Sequence, residues 1–223
     1  MPILNVRHST SYRYRRPVQF GDHRLMLRPR DSHDLRLIRT GLTCSPRAAV
    51  KWHYDVFGNS IAVAAFAEPA AELRIESSLD LETYAVERPP FEIAPEAVRY
   101  PFIYSSDDRI DLGRMLECHH PDPTDRLGSW ARGFVRGNPT ATAALLADLN
   151  NGVGSCISYQ SRETQGTQSP VETLNRGSGS CRDLAVLLAE AARCLGFGAR
   201  IVTGYLYGHA FVNERPIFAF RNF

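Results

Sequence analysis

The sequence predicts an α+β fold in two parts: an antiparallel β-sandwich or barrel-like domain, then a core of helices and strands. Three features point there. Apolar and polar residues alternate from Leu4 to about Leu81, prolines cluster between Tyr84 and Pro101, and apolar positions then recur at helical spacing. The expected organisation is a β-rich domain at residues 1–84, a linker at 85–104 and a core at 105–223. A chain of 223 residues is long enough for two modest domains, each with its own core.

The first strand is signalled by Val6, His8, Thr10, Tyr12 and Tyr14, which alternate with polar partners. Further strands are expected at His23–Leu27, Leu35–Cys44, Val50–Tyr54, Ser60–Phe66 and Leu73–Leu81. Turn chemistry separates them: Gly21-Asp22, Arg28-Pro29-Arg30-Asp31, Ser45-Pro46 and Gly58-Asn59. Six strands without a helix suit a sandwich or small barrel. Beyond the linker, Leu127, Trp130, Ala131 and Phe134 fit one helix, begun by Thr124 or Asp125. Thr140 is expected to cap a second, with Ala144, Leu145 and Leu149 inward and Asn151-Gly152 ending it. Cys156–Tyr159 reads as a short strand. Ser169-Pro170-Val171-Glu172 is a capping box with proline at the first helical position. Ala199–Tyr207, with Ile201, Val202 and Thr203, reads as a strand after the last helix.

That last helix follows Gly177-Ser178-Gly179-Ser180-Cys181-Arg182-Asp183. Ser180 is a good N-cap, Asp183 sits where a capping box has its acid, and Leu184, Leu187, Leu188, Ala191 and Leu195 form one apolar face. Gly196 then stops the helix. Cys181 therefore falls in the first turn, where unpaired N–H groups and the helix dipole favour a thiolate and can hold an oxyanion. A lone cysteine is otherwise a small buried hydrophobe. A phosphate-cradling loop is the other reading of the glycines, but the Lys-Ser/Thr pair of a P-loop is missing.

Composition narrows the classes. Net charge is +2, so nothing in the bulk electrostatics calls for nucleic acid or an anionic membrane, and all basic residues but Lys51 are arginine. Cys44, Cys118, Cys156, Cys181 and Cys194 are odd in number and widely spaced, which argues for reduced thiols rather than a disulfide framework. With no long apolar N-terminal region and no stretch of membrane-spanning length, a cytoplasmic location is expected. Cys118-His119-His120 with Asp122 invites a zinc reading, but adjacent histidines diverge and no second ligand pair lies nearby, so no metal is expected.

Thr164-Gln165-Gly166-Thr167-Gln168-Ser169-Pro170-Val171-Glu172-Thr173-Leu174, followed by Gly177 through Ala185, Ala191-Ala192-Arg193, Leu195-Gly196 and Val202 through Leu206, resembles the bacterial transglutaminase-like superfamily. Its members are often described as candidate cysteine proteases. The resemblance implies a papain-like, transglutaminase-like core preceded by the family's β-rich domain, with Cys181 as nucleophile. In that family a His on a later strand is the base, and an Asp on the next strand orients it. His209 alone among histidines follows Cys181, and Gly208-His209-Ala210-Phe211 is similar to the family's Thr-His-Ala-Trp.

Two departures follow. The family's longer insertion before this His is almost absent, and no Asp follows His209. Glu214, Asn213 and Asn222 remain; Asn222, on the return strand of a hairpin turning near Pro216, would complete a Cys-His-Asn set. The other account is a C-terminally incomplete core that lacks the true His-Asp pair. Implied by the resemblance is a cysteine enzyme acting on amide bonds of peptides or proteins, by hydrolysis or acyl transfer through a Cys181 thioester, with Gly179 and Ser180 shaping the nucleophile turn. The alternative is a non-catalytic protein-binding module. Peptide or protein substrates are the implied partners; neither a calcium site nor an organic cofactor is implied.

Overall fold

The computed structural model describes residues 3–84, 92–162 and 164–205, and the chain divides into two units, Met1–Pro90 and Phe91–Phe223. The first unit holds β1 (Ile3–Val18), β2 (His23–Leu25), β3 (Leu35–Ser45), β4 (Ala48–Tyr54), β5 (Ser60–Phe66) and β6 (Ala70–Thr83). They form two antiparallel sheets, in the orders β1-β6-β3 and β2-β5-β4. No barrel closes among the described residues. All six expected strands are present, and β1 and β6, at 16 and 14 residues, outrun the stretches marked by alternation.

The period-two pattern is cleanest on β6, where Leu73, Ile75, Leu79 and Leu81 are buried and alternate with exposed or half-buried neighbours. Leu73 and Ile75 share a core with Ala64 and Phe66 of β5, which makes the two sheets a sandwich. The β4–β5 turn is set by Asp55, whose carboxylate accepts the N–H groups of Phe57 and Asn59, and by Gly58 at φ 72°.

The second unit is α+β. Its elements are β7 (Arg99–Tyr100), α1 (Ser106–Leu112), α2 (Arg126–Arg132), β8 (Thr140–Ala141), α3 (Thr142–Cys156), β9 (Ser158–Tyr159), α4 (Pro170–Arg176), β10 (Ser178–Gly179) and α5 (Cys181–Cys194). Leu145, Leu149 and Val153 of α3 meet Leu184, Leu187, Leu188 and Ala191 of α5 in one core, with Leu127 and Ala131 of α2. Each of these side chains is at most 4 % exposed, so α5 is a central helix of this unit.

Four expectations change. Residues 95–104, expected within the linker, are built into this unit: Tyr100 pairs with Thr140, stacks on Phe197, and Phe102 packs on the same ring. Thr140 does not cap α3: it lies in β8, and Ala141 stands at the N-cap position. Helix α2 does begin directly after Asp125, as expected, although its Arg126 and Leu127 N–H groups are accepted by the Asp122 carboxylate, at 2.9 and 2.8 Å. Asn151-Gly152 does not end α3. Gly152 sits mid-helix because a Cβ there would stand 2.2 Å from the ring of Phe134, which lies beyond the end of α2. Residues 199–205 form no strand among the described residues; Ala199 instead donates to the Met115 carbonyl and accepts from Arg193.

Candidate active site

Helix α5 begins at a turn that the preceding chain fixes on both sides. Ser169 caps α4 by accepting the Glu172 N–H, Pro170 opens that helix, and Gly177 closes it at φ 62°, a conformation that suits glycine. The chain then enters β10, which runs parallel to β9: Ser158 donates to the Gly177 carbonyl and Gln160 to that of Gly179, both at 2.8 Å. Gly179 is buried, and a Cβ on it would meet Asp183 Cβ at 3.0 Å, Leu184 at 3.3 Å and Thr173 at 3.4 Å. A side chain there would press on the first turn of α5, and glycine avoids that crowding.

Ser180 and Asp183 form the capping box expected from their spacing. The acid does more than cap. Asp183 is fully buried and accepts five hydrogen bonds: from Ser180 N–H and Oγ–H, from the Gln168 N–H, and two from the Arg162 guanidinium. Arg162 also donates to the Gly166 carbonyl at 2.9 Å. Burial by itself would raise the Asp183 carboxyl; the Gln168, Ser180 and Arg162 donors outweigh it and hold the group at about 2. One permanent carboxylate therefore ties the segment before α4 to the start of α5.

Cys181 is the first residue of the 14-residue helix and its thiol is exposed. Gly179 and Ser180 lie in the buried turn behind it. His209 and Asn222, the other expected site residues, lie outside the described residues. Sequence reading missed Arg162, since a single arginine in a polar loop carries no periodic or capping signal. Gln168 lies within the stretch that carries the family resemblance, but its backbone role is not visible there.

A polar cleft of about 210 Å³ opens beside the turn, lined by Gln160, Arg162, Thr164, Gln168, Arg176 and Gly179. It offers hydrogen-bond donors and acceptors rather than an apolar wall. The Cys118-His119-His120 group serves another purpose. The His119 and His120 N–H groups donate to Glu190 at 2.8 and 3.0 Å, the His119 ring lies between the Arg114 carbonyl and Arg193, and Asp122 caps α2. Among the described residues no group of three or more His, Cys, Asp or Glu side chains is placed to hold a metal ion. Nor is any helix there long and apolar enough to cross a membrane.

An exposed cysteine opening a capped, buried helix in an α+β core, with a β-sandwich ahead of it, defines a class of architecture. Two known families match it in tandem. Residues 4–82 match the bacterial transglutaminase-like N-terminal region, and residues 128–217 match the transglutaminase-like superfamily, a span that includes Cys181 and His209 and stops before Asn222. The chain thus carries the two parts of a bacterial transglutaminase-like protein, as its motifs suggested. Comparison with the curated proteins finds no match. Among solved structures, a candidate cysteine protease from Cytophaga hutchinsonii shares the fold with a TM-score of 0.59 at 14% identity, over 86% of this chain. The chain spans 66% of that protein's length.

Proposed function

We propose that this chain is a cysteine enzyme of transglutaminase-like type, acting on amide bonds of peptides or proteins. The observation that carries the reading is the placement of an exposed Cys181 at the first position of α5, within the span that matches the transglutaminase-like core. Cys181 attacks the amide carbonyl, and the tetrahedral oxyanion is held by backbone N–H groups at the helix start, that of Cys181 first. His209 takes the thiol proton and returns it to the leaving amine, and Asn222 orients the imidazole. The resulting thioester passes its acyl group to water or to a second amine. The buried Asp183, held by Arg162 and by the Ser180 N–H, fixes the turn that presents Cys181.

The deciding experiment is alkylation of the native chain by iodoacetamide across pH, followed by peptide mass spectrometry, in wild type and His209→Ala. Cys181 is expected to react faster than the other four cysteines and to slow in the variant. Reaction no faster than that of Cys194 removes the nucleophile, and the chain is then a protein-binding module on the same scaffold. Trapping with hydroxylamine during incubation with a peptide amide separates the chemistries: a hydroxamate product marks acyl transfer through the thioester.

A further inference from the structure

The opposite end of α5 carries a second sulfur arrangement that amide chemistry does not use. Cys194, the last residue of α5, hydrogen-bonds through its thiol to that of Cys118, 76 residues earlier, with the two sulfurs 3.4 Å apart. It is the one thiol–thiol contact among the described residues. We infer that Cys118 and Cys194 are an oxidisable dithiol, a modification site that small disulfides convert to an intramolecular disulfide.

Three observations support it. Cys118 is exposed while Cys194 is half-buried beneath it, so an oxidant meets Cys118 first. The two backbones are already held together: Glu190 accepts the His119 and His120 N–H groups, and Arg193 binds Glu190 and donates to the Met115 carbonyl. Closing from 3.4 Å to the ~2.05 Å of an S–S bond therefore needs a small side-chain movement, with the two chain segments kept side by side. Burial first, then the Cys118 hydrogen bond and charge and the Glu190 and Asp122 carboxylates, push the Cys194 thiol up to about 12. Half-buried and harder to ionise, Cys194 is the second thiol of the pair to react, after the exposed Cys118.

The chemistry balances as thiol–disulfide exchange. The Cys118 thiolate attacks one sulfur of a small disulfide, expelling one small thiolate, which takes up the proton that Cys118 gave. In the mixed disulfide the Cys118 sulfur can no longer carry the negative charge that opposes a Cys194 thiolate. Cys194 then loses its proton, attacks the Cys118 sulfur and expels the second small thiol. Two protein thiols and one small disulfide become one protein disulfide and two small thiols.

The test uses the native full chain, glutathione disulfide as oxidant and a non-reducing peptide map. Wild type is expected to give a Cys118–Cys194 crosslinked peptide, two hydrogens lighter than the sum of its parts, which dithiothreitol removes. Cys194→Ser is expected to accumulate glutathione on Cys118, and Cys118→Ser to leave Cys194 unmodified. A stable glutathione adduct on wild-type Cys118, or a disulfide joining Cys118 to Cys156 or Cys181 instead, overturns the inference. The wild-type result decides even if a variant does not fold.

Discussion

Helix α5 is anchored at both ends by a buried carboxylate, and the two anchors are built alike. Asp183 near its start accepts a backbone N–H from Gln168 and is paired by Arg162; Glu190 near its end accepts backbone N–H groups from His119 and His120 and is paired by Arg193. Both residues are at most 1 % exposed. What differs is the neighbouring thiol. At the start, Cys181 is exposed at the first helical position; at the end, the Cys194 thiol is half-buried and held protonated. The same device, a buried acid collecting loop N–H groups, fixes a candidate reactive thiol at one end and a sheltered one at the other. The anchors set position, and solvent contact sets what each cysteine does.

The harshest way to break this comparison is to remove one anchor at a time. Asp183→Ala strands the Arg162 guanidinium, whose side chain is 19 % exposed, and Glu190→Ala strands Arg193 at 8 %. Each is expected to cost about 3–5 kcal/mol in urea denaturation, since a buried charge loses its partner. The softer pair separates the ends. Asp183→Asn is expected to slow Cys181 alkylation, and Glu190→Gln to lower stability while leaving that rate unchanged; equal effects on Cys181 would mean that the ends are not independent. Next in size is Gly179→Ala, where the added carbon crowds Asp183 and Thr173. It is expected to cost about 1–3 kcal/mol in the same assay and to slow Cys181 alkylation.

Acid titration touches the Asp183 anchor without mutation. Its carboxyl falls from the ordinary 3.8 to about 2 on folding, so the ionised form adds stability that is complete above about pH 4. That contribution, about 2 kcal/mol, is lost as pH falls toward 2, and Asp183→Asn should flatten the loss in this window. Unfolding midpoints measured at pH 2, 3 and 4 check the sign. Smallest is Ser169→Ala, which removes the cap of α4 and should cost about 1 kcal/mol by thermal melting.

Local chemistry was legible in the sequence and distant contact was not. The six strands, the Ser169 and Ser180 caps and Gly196 just past α5 each declare themselves within a few residues, because alternation and capping are short-range. Gly152 read as a stop, yet the Phe134 ring fills the space a side chain would take, and that partner comes from another element. Asp125 marks the start of α2 by position, but nothing local shows that the Asp122 carboxylate folds back onto the first N–H groups of that helix. Arg162 and Glu190 carry no pattern at all. Their roles exist only once segments 21 and about 70 residues apart are brought together.

The seven-residue spacing of Asp183 and Glu190 has a consequence for how this chain tolerates change in length. Two turns of helix return nearly to the same face, so both acids point toward segments packed on one side of α5. Inserting or deleting a single residue between them would swing one acid about 100° around the axis, and both segments could not then be gripped at once. Helix α5 is a gauge of fixed length, set between the two segments that its acids hold.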